Sequence, residues 1–430
     1  MMQSDATKIT LDNGLQVLLK EIHTAPIISH WLWYRVGSRD EGPGRTGASH
    51  WVEHMLFKGT PDFPGGQLDR AVSRQGGYWN AMTYIDWTTY FATMPADSID
   101  LIQRLEADRM VNASFAEDEV SSERTVIISE RQGNENSPLF RLDEAVQSAA
   151  FTTHTYKHEV IGDMADLESM GRQDLYRHYK RYYVPGNAVL TVAGDFQTDR
   201  MLARIQELMG AVPAGEVPPR VATLEPPQEE ERRVEMDGPG ETAFVRLAYH
   251  APDAVQDDFF VFMVLDSLLS GPTSLNMFGG GLSNKTSRLY RALVEKDIAV
   301  SVGGGLNATI DPFLYSLTLT VHPDRSPEEA VQFLDAEIER IQGQAPAPEE
   351  LARSVKQARA LFAYGSESIT NQAFWLGFAE MFAGHDWFLT YLDRLAAVTP
   401  GDVQSAAQTY LRPQNRVLGF YRPAGNGAER

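Results

Sequence analysis

The chain has 430 residues, of which 43% are hydrophobic and 22% charged, and 58 acidic against 38 basic side chains give a formal net charge of −20. This length predicts two or three domains, and so acidic a chain argues against nucleic acid as a partner. The absence of cysteine excludes disulfides, thiolate metal sites and cysteine catalysis.

The apolar segments are short. The longest apolar run, 259–265, has seven residues, well below the ~18 that a membrane span requires. The N-terminus, MMQSDATKIT, has neither the basic stretch nor the apolar core of a signal peptide. We therefore expect a soluble protein without a membrane span, either cytoplasmic or, if a signal peptide was removed, periplasmic.

The first half of the chain alternates between helical and extended patterns. Hydrophobic periodicity predicts helices over 46–58, 65–74, 97–112, 116–136 and 172–182. Strands are predicted over 15–20, 27–36, 77–83, 88–94 and 187–194. This alternation predicts an α+β fold, with a mixed, mainly antiparallel sheet and helices packed on one face.

The pattern His50-Trp51-Val52-Glu53-His54 lies within the first predicted helix. Residues four apart share one face of a helix, so His50 and His54 can present two imidazoles to one metal ion. Glu53 lies on the flank of that face, within reach of a metal-bound water. This H-x-x-E-H order is the reverse of the H-E-x-x-H order of many zinc peptidases. The alternative is a pair of packed histidines beside a surface glutamate.

A catalytic zinc ion takes three protein ligands and keeps one open position, so a third ligand is expected on another element. The helix predicted over 116–136 carries Glu119, Glu123 and Glu130, and the last two lie seven residues, or two helical turns, apart. One carboxylate is expected to bind the metal, and another to orient a ligating imidazole. Without the histidines nearby, the same residues are typical of a solvated helix face.

A proline-rich segment divides the chain almost in half. Residues 213–233 include five prolines and end in a charged cluster, which predicts an extended surface linker. We therefore predict a zinc-binding catalytic domain over 1–212, a linker over 213–232 and a second domain over 233–430.

An internal repeat relates the two halves. The frame Y-x-x-P-x-N occurs at 182–187 and at 410–415, a spacing of 410 − 182 = 228 residues. In both places a predicted helix runs into tyrosine, proline ends it, and a strand follows. Second-half helices are predicted over 256–270, 326–343, 349–365 and 399–411. This pattern predicts two homologous domains.

The second domain does not repeat the histidine motif. Aligning Gly59 with Gly271 places Phe262, Leu265 and Asp266 at the motif positions. We therefore expect no metal site there, and a structural or substrate-binding role for that domain.

Together these motifs resemble the pitrilysin/insulinase family of zinc metallopeptidases, in the two-domain form of the mitochondrial processing peptidase β subunit and its bacterial relatives. In that family a ligating glutamate follows H-x-x-E-H by roughly seventy-odd residues; here 130 − 54 = 76. Residues 76–83, GGYWNAMT, resemble the family's G-G-x-x-N-A-x-T strand beside the zinc. The likeness covers nearly the whole chain and is strongest over 9–195.

The resemblance implies that one zinc ion per chain is held by His50, His54 and Glu130, with Glu123 supporting a ligating histidine. It implies that Glu53 acts as general base on a zinc-bound water. It also implies that Asn80 and Ala81 hold the substrate backbone by β-augmentation. The expected function is a zinc-dependent endopeptidase that cleaves peptides or unfolded segments inside a closed chamber, with this chain forming one half of a clamshell.

The chain departs from the family at one place. Active members carry an arginine and a tyrosine seven residues apart, opposite the zinc, in a pattern like R-E-K-x-G-L-x-Y-S. The matching stretch 293–301 reads LVEKDIAVS, so Val294 and Val300 take these positions and offer no hydrogen-bond donor. We therefore expect a heterodimer in which a homologous partner supplies the Arg/Tyr pair, with a homodimer less favoured. Alternatively, Arg288, Tyr290 or Arg291 substitutes for the pair.

Two other patterns carry less information. The segment 278–286 resembles a P-loop, but Asn284 occupies the position that requires glycine. His154 and His158 have no carboxylate between them and are expected to be ordinary polar residues. The rival function is a non-catalytic assembly subunit, like family-related core subunits of respiratory complexes, which have lost the zinc motif that is intact here.

Overall fold

The computed structural model describes residues 6–276 and 281–424. The strands of the first half are β1 to β6: Thr7–Thr10, Gln16–Glu21, Ile27–Tyr34, Tyr78–Thr83, Thr88–Pro95 and Ala188–Gly194. Its helices are α1 to α8: Ala48–Met55, Leu68–Arg74, Asp100–Asn112, Glu117–Glu135, Pro138–Ala150, Met164–Ser169, Arg172–Tyr182 and Thr198–Leu208.

The second half repeats this composition. Its strands are β7 to β11: Arg232–Gly238, Phe244–Ala251, Ala299–Leu306, Phe313–Val321 and Arg416–Pro423. Its helices are α9 to α14: Asp257–Leu269, Pro327–Gly343, Pro348–Tyr364, Ile369–Phe382, His385–Ala397 and Pro400–Tyr410. Among the described residues, no helix is both long and apolar enough to cross a membrane.

Each half forms one mixed sheet. The first has the strand order β1-β2-β6-β3-β5-β4, in which β2 and β6 are parallel and the other pairs antiparallel. The second has the order β7-β11-β8-β10-β9, with β7 and β11 parallel. The predicted α+β fold class is therefore confirmed, and β4 and β9 occupy equivalent free edges.

The repeated Y-x-x-P-x-N frame performs the same structural task twice. The side-chain amide of Asn187 donates to the carbonyl of Tyr182 at 2.9 Å, and that of Asn415 donates to the carbonyl of Tyr410 at 2.8 Å. Each asparagine also donates to a carbonyl at the end of the neighbouring strand, that of Arg35 just after β3 or that of His250 near the end of β8. The frame thus closes the helix-to-strand turn in both halves.

Helices cover one face of each sheet, as predicted, and each half also places one helix on the second face of the other half's sheet. Helix α5 packs on β7, β8 and β11, and α12 packs on β3 and β6. The ring of Phe374 on α12 lies 5.5 Å from that of Trp31 on β3. The apolar cores of the two halves are therefore continuous.

A buried polar network also joins the halves. The Arg39 guanidinium, 3% exposed, pairs with Asp311 of the second half and lies 3.8 Å from Asp86 of the first. The His154 ring bonds Asp311 at 3.0 Å, and the Tyr156 hydroxyl donates to Asp86 at 2.7 Å. These contacts fix the β4–β5 turn, which contains Asp86, against the second half.

The segment between α8 and β7, residues 209–231, contains no helix or strand. It is anchored to the first half, because the Glu225 carboxylate accepts hydrogen bonds from the backbone N–H groups of Thr152, Thr153 and His154. The domain limits at 212 and 233 stay predictions.

Candidate metal centre

Helix α1 begins at a glycine whose conformation other residues rarely adopt. Gly47 has a φ of 85°, and a Cβ there would lie 2.5 Å from the carbonyl oxygen of Ile161. Glycine has no capping side chain, so the buried carboxylate of Glu41 accepts from the N–H of Gly47 at 2.7 Å and of Ser49 at 2.6 Å. Two backbone N–H groups at the start of α1, which have no partner within the helix, are thereby bonded, and the first turn is held in place.

One face of α1 is buried and the other carries the histidines. Trp51, Val52 and Met55 are fully buried in the core of the first half. On the opposite face the rings of His50 and His54 lie 4.6 Å apart, centroid to centroid. This is the side-by-side arrangement that the spacing of four predicts.

Glu130 of α4 approaches both rings. Its Oε2 lies 3.9 Å from Nε2 of His50 and 3.8 Å from Nε2 of His54. Among the described residues, these three form the one group of three or more potential ligands whose atoms lie within 4.8 Å of each other. The structure therefore brings together the three residues that the resemblance assigns to the metal.

The second acidic residue of α4 contacts the back of His54. Glu123 Oε1 lies 2.8 Å from Nδ1 of His54, so Nε2 of that ring is directed toward Glu130. Lys58, one turn beyond His54, pairs with the other oxygen of Glu123. Burial opposes ionisation of Glu123, but its bonds to His54 and Lys58 outweigh it and lower the pKa of that carboxyl. Glu119 lies at the edge, 4.0 Å from Lys58.

Glu53 lies on the side of the cluster that faces β4. The residue is 8% exposed, and Oε2 accepts a hydrogen bond from the Thr83 hydroxyl at 2.6 Å. Burial raises the pKa of Glu53 to about 7, while the bond from Thr83 and the nearby His54 act in the opposite direction. A carboxyl with a pKa near neutrality is suited to accept and return a proton.

The residues fit a catalytic zinc ion. Two imidazole nitrogens and one carboxylate oxygen are the three-ligand set that leaves a fourth position open, and ligand atoms around tetrahedral zinc stand about 3.5 Å apart. Burial, followed by the influence of His54, lowers the pKa of His50 to about 3, which keeps the ring in the neutral form that metals bind. The Glu130 side chain is 44% exposed, so the cluster opens to solvent on that side.

Strand β4 runs beside this cluster at the free edge of its sheet. Asn80 is exposed and Ala81 is half-buried, and the Asn80 side chain accepts from the N–H of Ala81 at 2.9 Å. One side of β4 pairs with β5 and the other has no strand neighbour among the described residues. That edge has the geometry for adding an extended peptide.

The equivalent place in the second half holds a hydroxyl network. Phe262 and Leu265 are fully buried in the core, and Asp266 accepts hydrogen bonds from Ser270, Thr273 and Tyr315 at 2.5–3.0 Å. Burial raises the pKa of Asp266 to about 6 against these three bonds. In the alignment of Gly59 with Gly271, Phe262 and Asp266 correspond to His50 and His54.

The stretch that departs from the family pattern forms a π-helical turn, Tyr290–Val294, before β9. Val294 is half-buried and Val300 is 56% exposed on β9. Of the alternative donors, Arg288 makes a bidentate pair with Glu350, Tyr290 is half-buried, and Arg291 is exposed.

The two later histidines do more than the sequence indicated. His154 is 2% exposed within the network between the halves, and His158 Nε2 lies 3.1 Å from the Glu41 carboxylate that caps α1. Their partners are distant in sequence, so no local pattern identifies them. Part of the glycine-rich segment 278–286 lies outside the described residues, and 281–284 contain no helix or strand.

Comparison with known proteins gives the family. Residues 16–164 match the model of Insulinase (Peptidase family M16), and residues 169–358 match that of the Peptidase M16 inactive domain. An uncharacterized zinc protease of Mycobacterium leprae is 30% identical over 327 residues, which cover 74% of this chain and 69% of that protein. The chain belongs to peptidase family M16.

Other M16 relatives extend the likeness along the chain. An uncharacterized zinc protease of Streptomyces coelicolor is 26% identical over 423 residues, covering 96% of this chain and 89% of its own. The crystal structure of a protease from Helicobacter pylori superposes with a TM-score of 0.89 at 25% identity, covering 97% of this chain and 99% of that one. The family resemblance and the two-domain fold are thus confirmed.

Proposed function

We propose that this M16 protein is a zinc-dependent endopeptidase in which His50, His54 and Glu130 hold one zinc ion per chain. The observation that carries the proposal is the convergence of these three side chains, with Nε2 of both rings 3.8–3.9 Å from the Glu130 carboxylate. The names of the relatives, which are zinc proteases, support it. An assembly subunit would have no need of such a cluster, so the non-catalytic alternative is not favoured.

Zinc bound there would lower the pKa of a coordinated water and polarise the carbonyl of the scissile bond. Glu53 is the general base: it accepts a proton from the attacking water and returns it to the leaving amine. Its Oε2 accepts a hydrogen bond from the Thr83 hydroxyl, which orients the carboxylate for this exchange. Glu123 supports the centre by fixing the ring orientation of His54.

The substrate is an extended peptide that pairs with the free edge of β4. Asn80 and Ala81 lie on that strand, and its last residue, Thr83, contacts Glu53. Backbone pairing of this kind accepts many sequences but requires an unfolded segment. We therefore propose peptides or unfolded segments as the substrate class.

A partner chain completes the site in this proposal. Val294 and Val300 have no hydrogen-bond donor in their side chains, whereas removing one donor to the developing oxyanion typically costs about a hundredfold in rate or more. We propose a heterodimer of clamshell form, in which a homologous partner without H-x-x-E-H supplies an arginine and a tyrosine. Exposed Arg291 is the alternative donor within this chain.

The test of the catalytic assignment is Glu53→Gln. This variant should retain zinc because Glu53 is not a ligand, and it should lose about a hundredfold or more of the peptide-cleaving activity because the base is gone. Zinc content and cleavage of an unstructured fluorogenic peptide are measured on the same sample. Cleavage at the parental rate by Glu53→Gln would show that the mechanism is wrong.

The partner is tested separately. The chain is assayed alone, and then with a homologue that lacks H-x-x-E-H and carries the Arg/Tyr pair. We expect weak cleavage alone and strong cleavage together. Full activity of the isolated chain, lost in Arg291→Ala, would instead assign the donor to Arg291.

A further inference from the structure

Thr83 is the last residue of β4, and its side chain forms a hydrogen bond with Glu53. It is 8% exposed, and its hydroxyl donates to Oε2 of Glu53 at 2.6 Å. The same strand, three positions earlier, carries Asn80 at the free sheet edge. The proposed base and the proposed peptide-binding edge therefore meet at one residue.

The hydroxyl of Thr83 has few other orientations available. Thr83 pairs with Thr88 across β4 and β5, and the Thr88 hydroxyl lies 3.4 Å from that of Thr83 and donates to the carbonyl of Val36 at 2.9 Å. Because the Thr88 proton is donated to the Val36 carbonyl, the Thr83 hydroxyl keeps its own proton for the bond to Glu53. A β-branched side chain in a paired strand also has little rotational freedom.

The effect on Glu53 is to restrict its orientation. The hydrogen bond from Thr83 ties the carboxylate to the sheet and not only to α1, while each oxygen keeps a lone pair that can accept a proton. Glutamate has three rotatable side-chain bonds, so holding it in one geometry removes a sizeable entropic cost from the chemical step.

We propose that Thr83 is a positioning residue that fixes Glu53 in the frame of the substrate strand, so that a peptide paired with β4 and the base share one rigid element. This inference rests on the proposed role of Glu53 as the base. It places the contribution of Thr83 in the chemical step and not in peptide affinity or in zinc binding, because the Thr83 side chain is buried and its hydroxyl donates to Glu53 and not to a proposed zinc ligand.

The test compares Thr83→Val with Thr89→Val under the conditions in which the parent is active. Thr89 is a matched control: it is a fully buried threonine of the adjacent strand whose hydroxyl bonds the carbonyl of Leu32 and does not touch Glu53. Thr83→Val should lower kcat by about tenfold or more, with KM and zinc content within twofold of the parent. Thr89→Val should have the parental kcat, and Thr83→Ser should restore most of the activity.

Should Thr83→Val reduce the folded fraction, Thr83→Ser is compared with Thr83→Ala, since both lose the methyl group and only serine keeps the hydroxyl. Equal kcat for Thr83→Val and Thr89→Val, or for serine and alanine at 83, overturns the inference. A rise in KM or a loss of zinc at unchanged kcat also overturns it. Glu53→Gln in the same series distinguishes failure of the Thr83 inference from failure of the proposed function. If Glu53→Gln is inactive and Thr83→Val is active, only the inference on Thr83 is wrong. If Glu53→Gln is active, both the inference and the proposed role of Glu53 are wrong.

Discussion

Glu123 and Glu130 lie on one helix, two turns apart, but the structure gives them different surroundings. Glu123 is nearly buried, and its carboxylate is held between His54 and Lys58. Glu130 is half exposed and faces the outer nitrogens of both rings. Sequence spacing alone admits either residue as the ligand. The geometry favours Glu130 as ligand and Glu123 as the support of His54.

This difference predicts distinct effects on zinc binding. Glu130→Ala removes a ligand and should lose most of the zinc during purification, whereas Glu123→Ala should retain it with an affinity about 10- to 100-fold lower. Competition with a fluorescent zinc chelator measures both variants. A larger loss of zinc from Glu123→Ala than from Glu130→Ala would show instead that Glu123 is the ligand and Glu130 the supporting residue.

We predict that the carboxyl of Asp266 makes the folding stability depend on pH. Burial raises the pKa of its carboxyl to about 6 in the folded chain, above the value of about 3.9 in an unfolded one. The folded state therefore binds the proton more tightly, and the contribution of Asp266 to stability decreases as the pH rises from 4 through 6. Asp266→Asn removes the titrating group and therefore this pH-dependent contribution to stability.

Denaturant unfolding at pH 4 and at pH 7 checks the prediction. The free energy of unfolding of the parent should fall, relative to that of Asp266→Asn, by an amount on the order of 2 kcal/mol between these pH values. The other buried carboxyls are present in both proteins and cancel in the comparison. If the free energy of unfolding depends on pH in the same way in both proteins, the pKa of Asp266 is not raised in the folded chain.

At the scale of elements, α1 depends on a cap that comes from outside the helix. The Glu41 carboxylate bonds two N–H groups of the first turn and the ring of His158. Glu41→Ala should destabilise the chain by about 2 kcal/mol and lower its zinc affinity, because His50 lies in the same turn. Unfolding of the metal-free chain and chelator competition measure the two effects.

Ser326 provides the control for that variant. Its hydroxyl caps α10 in the second half by accepting from the N–H of Glu329, so Ser326→Ala should cost about 1 kcal/mol and leave zinc affinity unchanged. An equal effect of both substitutions on zinc affinity would show that the Glu41 cap acts only through global stability.

The strongly periodic elements could be predicted from the sequence. The two helices that each pack on the sheet of the other half, α5 and α12, could not. The predicted helix over 172–182 matches α7, which has a clear apolar face, and that over 116–136 contains α4, which is a long run without proline. Helices α5 and α12 have no prediction. Phe374 and Trp375 make α12 apolar nearly all round, since it is buried between the sheet of one half and helices of the other, and this pattern does not reveal which sheet it covers.

The candidate site shows the same limit. The ligands are recognisable because two of them lie one turn apart on a single helix. Thr83, Lys58 and Glu41 reach the site from other turns and strands, and only the fold shows what they contact. His158, which the sequence indicated to be an ordinary polar residue, supports the cap of α1 for the same reason.

The two halves of the molecule are held together by the buried polar network around Arg39. Arg39→Met should lower the free energy of unfolding by about 3–5 kcal/mol, because buried Asp86 would be left without its cation and the partly exposed Asp311 would keep only its contact with His154. Arg394→Met removes an exposed pair with Asp257 and should cost less than about 1 kcal/mol. Chemical denaturation of both variants makes the comparison, and equal losses would show that the network does not join the halves energetically.

The proposed function depends on the binding of one zinc ion by His50, His54 and Glu130 together. The most direct measurement is anomalous X-ray scattering from crystals of the zinc-loaded chain, recorded on both sides of the zinc absorption edge. We expect one anomalous peak per chain, within bonding distance of both histidine rings and the Glu130 carboxylate, and none in crystals of His50→Ala. A peak bound by other residues, or no peak in the zinc-loaded parent, would contradict it.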